Sequence, residues 1–232
     1  MSGIGTALRR GALALGLVLA AGQAVAQEGD GLSLPGFLAA MGLLETEEVR
    51  LPLGGNAGHL VFDLPSSEQV RARRNEEAPG ENVVAVYEFL DEDGRLVESL
   101  VLTRAEVDRG PREDRRFAMA NLLVLRSFGA LIEQQPGARL LGFGPVSADG
   151  GAPDALDAVQ AVGTRPGDDD PQGIIVRHVG LMADDSDVAL VALVGIDSSR
   201  LPVRSDADLG QTYTGQAISS MRMDLPSGAA QE

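Results

Sequence analysis

His59 and His178 are the chain's only histidines, and it has no cysteine. A catalytic triad needs a base, usually histidine, held between a nucleophile and an orienting group. His178 lies in Ile174-Ile175-Val176-Arg177-His178-Val179. Strand alternation sets it on one face with Ile174 and Val176 and turns Arg177 to the other. That is the setting of a partly buried histidine with one hydrogen bond, not of a base beside a nucleophile. His59 follows a glycine at the start of a strand pattern, an exposed place. Two separated histidines without a thiolate make a poor zinc site. The chain has no GxSxG, P-loop or dinucleotide fingerprint. No catalytic residue is assigned, and the balance is against an enzyme.

Carboxylates are the other source of chemistry. Asp168, Asp169 and Asp170 stand between Pro166-Gly167 and Pro171, and Asp184-Asp185-Ser186-Asp187 fills a second turn. Calcium takes about six to eight oxygen ligands, several of which one acidic loop can supply. Asp168, Asp169 and Asp170 are therefore the metal candidates, with calcium the ion they would suit. A metal-assisted hydrolase using Asp168–Asp170 or Asp184–Asp187 is the alternative function. Neither run has EF-hand spacing, and Asp91-Glu92-Asp93-Gly94 is too short for one. Aspartate is also a turn residue in its own right, so solvated hairpin tips explain both loops without any cofactor. If the flanking strands form consecutive hairpins, the two loops lie at opposite ends of a sheet and cannot make one site.

The basic residues gather in Arg71, Arg73 and Arg74 and in Arg112, Arg115 and Arg116. Arginine's planar fork suits an anion or an acidic partner. Glu68, Glu76, Glu77, Glu113 and Asp114 lie close by in sequence, and local pairing with them is the simpler expectation. The formal net charge is −15. Phosphate backbones and anionic lipid need Lys and Arg, so nucleic acid is excluded as a partner.

The elements that would position these residues are organised around Arg112 to Glu133. Phe117, Ala120, Asn121, Val124, Phe128, Leu131 and Ile132 recur at three- and four-residue steps, as on one face of a helix. Pro111 opens it, Glu113 and Asp114 suit the dipole of its first turn, and Gln134-Gln135-Pro136-Gly137 closes it. Before it, Val83 to Leu90 and Arg95 to Leu102 read as a hairpin turning on Asp91-Glu92-Asp93-Gly94. After it come four strand candidates, Arg139 to Phe143, Ala158 to Gly163, Gly173 to Met182 and Val188 to Ile196. A last helix is predicted from Asp206 to Met221, capped by Ser205.

Upstream, Ser33-Leu34-Pro35 starts a brief helix through Leu44. His59 to Leu64 is a strand stopped by Pro65, and an edge strand is expected around Gln69 to Arg73. Short turns between consecutive strands require antiparallel pairing. The expected fold is α+β: an antiparallel sheet of six or seven strands with the long helix and a C-terminal helix packed on it.

Arg9 and Arg10 precede an apolar run from Ala12 to Ala21, and Ala24-Val25-Ala26 follows as a small-x-small exit. This is the order of a secretory signal peptide, with cleavage expected after Ala26 and the periplasm as destination. The apolar run falls short of the roughly 20 residues a spanning helix needs, so no membrane insertion is expected after cleavage. The expected division is a signal peptide over 1–26, an N-terminal segment over 27–55, one domain over 56–224 and a tail over 225–232. Without disulfides, the core must supply the stability, which a domain of this size can do.

Three stretches resemble the PsbP-like superfamily, which includes photosystem extrinsic subunits, a Ran-binding nuclear import factor of the same fold and many secreted bacterial proteins. His59-Leu60-Val61-Phe62-Asp63-Leu64-Pro65 is similar to its opening strand ending in proline. The Val83–Leu102 hairpin before a long helix is similar to its layout. Thr212 to Met221 resembles its closing helix. The aromatic pair common after the first proline is absent, because Ser66-Ser67 follows Pro65. The resemblance implies a binding or assembly factor and transfers no residue role. The expectation is a secreted, non-catalytic binding or assembly factor of the bacterial envelope, with an envelope protein or a small ligand as partner.

Overall fold

The computed structural model describes residues 32, 34–54, 58–76, 80, 82–153, 156–167, 173–184 and 186–225. The signal-peptide region, Ser33 and Asp168–Asp170 lie outside the described residues. Among the described residues, ten strands form two antiparallel sheets. β1 (Glu45–Pro52), β2 (His59–Ser66) and β10 (Arg222–Asp224) make a small sheet in the order β1-β2-β10.

The large sheet has seven strands: β3 (Val70–Arg74), β4 (Val83–Asp91), β5 (Leu96–Glu106), β6 (Arg139–Pro145), β7 (Asp157–Arg165), β8 (Ile174–Met182) and β9 (Val188–Asp197). Their spatial order is β3-β4-β5-β9-β8-β7-β6. All pairings are antiparallel, as the short connections demand. The β4–β5 turn is built as its residues predict. Asp91 Oδ1 accepts the N–H groups of Asp93 at 3.0 Å and Arg95 at 2.8 Å, and Gly94 takes φ 78°.

Alternation along the central strands feeds two cores. Leu100, Leu102, Val179, Leu181, Leu190, Ala192, Val194 and Ile196 face β2 and the C-terminal helices. Val159, Ala161, Val176, Ala189 and Val191 face the long helix. That helix, α2, has three continuous parts: α-helical Arg112–Asn121, π-helical Leu122–Phe128 and α-helical Gly129–Gln134. It lies close on β7 and β8 because two of their residues are glycines. A Cβ at Gly163 would run into Phe128, and one at Gly180 would run into Met119.

The phase of α2 differs from the expected stripe. Arg115, Met119, Leu123, Phe128 and Leu131 are buried, whereas Phe117 is 70% exposed. The buried positions step by four, then by five from Leu123 to Phe128. The π segment, bonded i to i+5, takes in the extra residue and re-aims the face.

Two further differences sit at the chain's ends. β1, which is not among the expected strands, pairs with β2 along its whole length. The expected single C-terminal helix is two: α3 (Asp206–Gly210) and α4 (Tyr213–Ser219). Ser205 Oγ accepts from Asp208 N in α3 as predicted, and Thr212 Oγ1 caps α4 by accepting from Gly215 N at 3.0 Å. A short first helix, α1 (Pro35–Ala40), starts with proline in its first turn and no side-chain cap.

Candidate functional site

His178 sits on the α2 side of β8 beside Val176, as alternation predicts, and is fully buried. Its Nδ1 lies 2.9 Å from Ser127 Oγ in the π segment, and its ring is 5.0 Å from that of Phe128. Nε2 has no partner. Burial drives the imidazole down to about 3, which keeps it neutral. A general base must reach the proton it abstracts. Closed under α2, this one cannot meet a substrate.

The opposite face of the sheet holds a polar cluster beneath α3 and α4. Glu98 of β5, fully buried, accepts the backbone N–H groups of Tyr213 at 2.9 Å and Thr214 at 2.8 Å. Desolvation raises its carboxyl, and the donors at the α4 start partly offset that. Arg177 of β8 is 1% exposed. Its Nε donates to Gln160 Oε1 and its Nη2 to the Gly150 carbonyl, both at 2.7 Å. Burial lowers the guanidinium to about 10, against the pull of Asp206 and Glu98. Gln160 Nε2 in turn donates to Asp206 Oδ1 at 2.7 Å. The cluster ties β5, β7, β8, the 147–151 turn and both short helices together.

Sequence reasoning missed both Glu98 and Arg177. The signal for Arg177 was there: one arginine in a strand apolar on both sides has to be buried and partnered.

The arginines of α2 do not pair with Glu113 and Asp114. Arg116 Nε lies 2.8 Å from Asp157 Oδ2, and Arg112 Nη2 lies 3.0 Å from Asp157 Oδ1 at the start of β7. Burial pushes the Asp157 carboxyl up, but the two guanidiniums outweigh it and the group is lowered. Arg115 is buried and donates to the carbonyls of Ala183, Asp184 and Ser186 at 2.8, 2.9 and 2.8 Å. The Ala183–Asp187 turn is thereby clamped to α2 through its backbone. Asp187 lies 3.8 Å from Arg109.

This turn joins β8 to β9 at one end of the large sheet, and Arg165 of β7 pairs with Ile174 of β8 at the other end. Among the described residues no group of three or more His, Cys, Asp or Glu could hold a metal ion.

On β3, Arg73 pairs with the mostly buried Glu88, and Arg74 lies 3.5 Å from Glu76. Arg71 lines an open cleft of about 440 Å³ with Glu45, Glu47, Glu68, Ser67 and Leu64. Ser67 Oγ is 2.8 Å from the Tyr213 hydroxyl, which connects the cleft's floor to α4.

The other edge of the large sheet has a different surface. Strand β6 has β7 on one side and no described strand on the other. Its Leu141 and Phe143 are 68% and 64% exposed. Phe143 pairs with Ala161, a residue buried under α2, so it belongs to the α2 side of the sheet. Phe117 and Leu125 of α2 are exposed to a similar degree. A second exposed apolar group, Phe37, Met41 and Leu43, lies at and just after α1. Among the described residues no helix is long and apolar enough to cross a membrane.

No family model matches the chain, and no curated protein matches it. Among solved structures it is similar to a point mutant of the protein Mog1, with a TM-score of 0.44 and 12% identity over 79% of this chain and 97% of the other. It is also similar to the Saccharomyces cerevisiae Ran-binding protein Mog1p, with a TM-score of 0.41 and 10% identity over 77% of this chain and 96% of the other. At these values neither likeness bears on what the chain does.

Proposed function

We propose that the chain is an exported, non-catalytic binding or assembly factor of the bacterial envelope, which engages a protein through the open β6 edge of its large sheet. We read the fold as PsbP-like, with α2 and the C-terminal helices packed on that sheet; the order of elements supports this reading. Export rests on the Arg9–Ala26 pattern.

The observation that carries the binding reading is the exposure of Leu141 and Phe143 on a strand with one unpaired side. Charge and proline, which blunt such edges, stand only at the two ends of β6, at Arg139 and Pro145, and leave Leu140 to Gly144 as an apolar edge to which another chain can add a strand. The sheet's opposite edge, β3, carries Arg71, Arg73 and Arg74 in five residues and is defended. The chemistry is consistent with this. His178, Arg177 and Glu98, whose titration burial displaces, are all enclosed in packing.

A photo-crosslinking side chain placed at Phe143 in the exported protein, and in a second variant at Arg71, tests the reading in the periplasm. Covalent adducts from position 143 and none from 71 are expected. Silence at 143, or equal labelling at both edges, would remove the basis for the proposal.

A further inference from the structure

We infer that the occupant of the β6 edge is a second copy of this chain, its β6 paired antiparallel with the first about a two-fold axis at Gly142; this rests on reading that edge as a docking surface. The strand runs Arg139-Leu140-Leu141-Gly142-Phe143-Gly144-Pro145. An antiparallel pairing centred on Gly142 sets each Leu141 opposite the other copy's Phe143. Both exposed side chains of one copy thus meet both of the other, as a self-complementary, isologous contact requires. On its own sheet Leu141 has no counterpart, because the β6–β7 register shifts between Leu140 and Gly142. The two-fold supplies one, and the large sheet becomes continuous through both copies.

Charge points to the same segment. The chain carries −15, so two copies repel over most of their surface. From Gln134 to Ala148 there is no acidic residue, and Arg139 is the sole charge. Antiparallel pairing puts the two Arg139 side chains at opposite ends of the contact. This stretch is where two such acidic chains can approach with little opposition. Salt then has a diagnostic sign: screening of the remaining repulsion strengthens a self-association, whereas it weakens binding to a basic foreign partner.

The absence of cysteine makes the register directly testable. Directly opposite residues in an antiparallel pair have Cα atoms about 4.5–5.5 Å apart, within the roughly 4.4–6.8 Å a disulfide spans. A Cβ at Gly142 or at Gly144 meets nothing within 4 Å, and neither glycine has a positive φ. Gly142→Cys and Gly144→Cys should therefore both fold. Across the two-fold the 142 positions coincide, whereas the 144 positions lie about four residues apart along the strands, roughly 14 Å at about 3.4 Å per residue.

Sedimentation of the exported protein should give twice the chain mass, with the dimer fraction rising from low to physiological salt and falling for Phe143→Lys. Mild oxidation should link Gly142→Cys into a dimer and leave Gly144→Cys unlinked. A chain that stays monomeric at every salt, or equal linking of the two variants, overturns the inference. If photo-adducts from position 143 then contain a different protein, the docking reading survives without self-pairing. If there are no adducts at all, both fall.

Discussion

Glu98 in the middle of the large sheet holds the first turn of α4 by accepting two consecutive backbone N–H groups, those of Tyr213 and Thr214. A strand side chain thus does for a short helix what four unpaired N–H groups require of any helix start. Tyr213 also stacks on Phe89 at 5.6 Å and hydrogen-bonds Ser67, so this one turn connects the large sheet with the cleft. Glu98→Ala would strip two buried donors and remove one of the anions that face Arg177. The expected loss is about 2–6 kcal/mol, since each of the two buried donors left without an acceptor costs about 1–3 kcal/mol. Urea melts measure it. Combining Glu98→Ala with Arg177→Met should cost less than the two changes added together, because the guanidinium that Glu98 favours through space is absent from the double variant.

The phase of α2 makes a second prediction. Phe128 is fully buried against Gly163 and His178, whereas Phe117 faces solvent. Phe128→Ala should cost about 3–5 kcal/mol through the cavity it leaves. Phe117→Ala should stay within about 0.5 kcal/mol, like other surface changes. Denaturant melts of the pair decide the phase, and similar losses would mean that the helix is rotated from the arrangement described.

Those two phenylalanines also mark how far the sequence could be read. The periodicity that located α2 counts 3.6 residues per turn throughout. A 3.6-residue count puts Phe117 and Phe128 on one face, and a π segment breaks that count without changing composition. The β4–β5 hairpin was legible because Asp91 and Gly94 have a stated job in a tight turn. β1 was not, because Glu45, Glu47 and Glu48 on an outer strand of the small sheet show no alternation to detect. Glu98 looks in sequence like a solvent-facing strand residue, and its partners lie 115 and 116 residues away. Long-range hydrogen bonds leave no local trace. The β6 edge was legible as a strand, but its isolation follows from the spatial order alone.

Arg112 and Arg116 share one buried carboxylate, Asp157, across the interface of α2 with β7. Because each guanidinium can hold Asp157 while the other is gone, Arg112→Ala alone should leave stability nearly unchanged. The double variant Arg112→Ala, Arg116→Ala should lose clearly more than the two singles combined, since it buries an unpaired charge. Asp157 has a lowered pKa, so the pair's contribution is present above the ordinary carboxylate range and fades as pH falls through it. Additive singles in a denaturant series would show that Asp157 is not shared.

His178 makes the fold sensitive to acid. In the folded chain its imidazole is lowered to about 3, with burial under α2 as the cause; in the unfolded chain it returns to the ordinary value of 6.5. The unfolded state therefore takes up a proton near 6.5 that the native state refuses until about 3. The stability from this site is complete above 6.5 and is lost as pH falls toward 3. Each pH unit below 6.5 costs up to about 1.4 kcal/mol, so roughly 2 kcal/mol disappears between pH 7 and pH 5. His178→Gln keeps a side chain able to bond Ser127 but cannot take up a proton, so comparing the two chains cancels the groups they share, the raised Glu98 carboxyl included. Urea midpoints should fall further from pH 7 to pH 5 for the natural chain than for the variant. An equal fall in both would place the acid sensitivity elsewhere and show that α2 does not seal His178 from solvent.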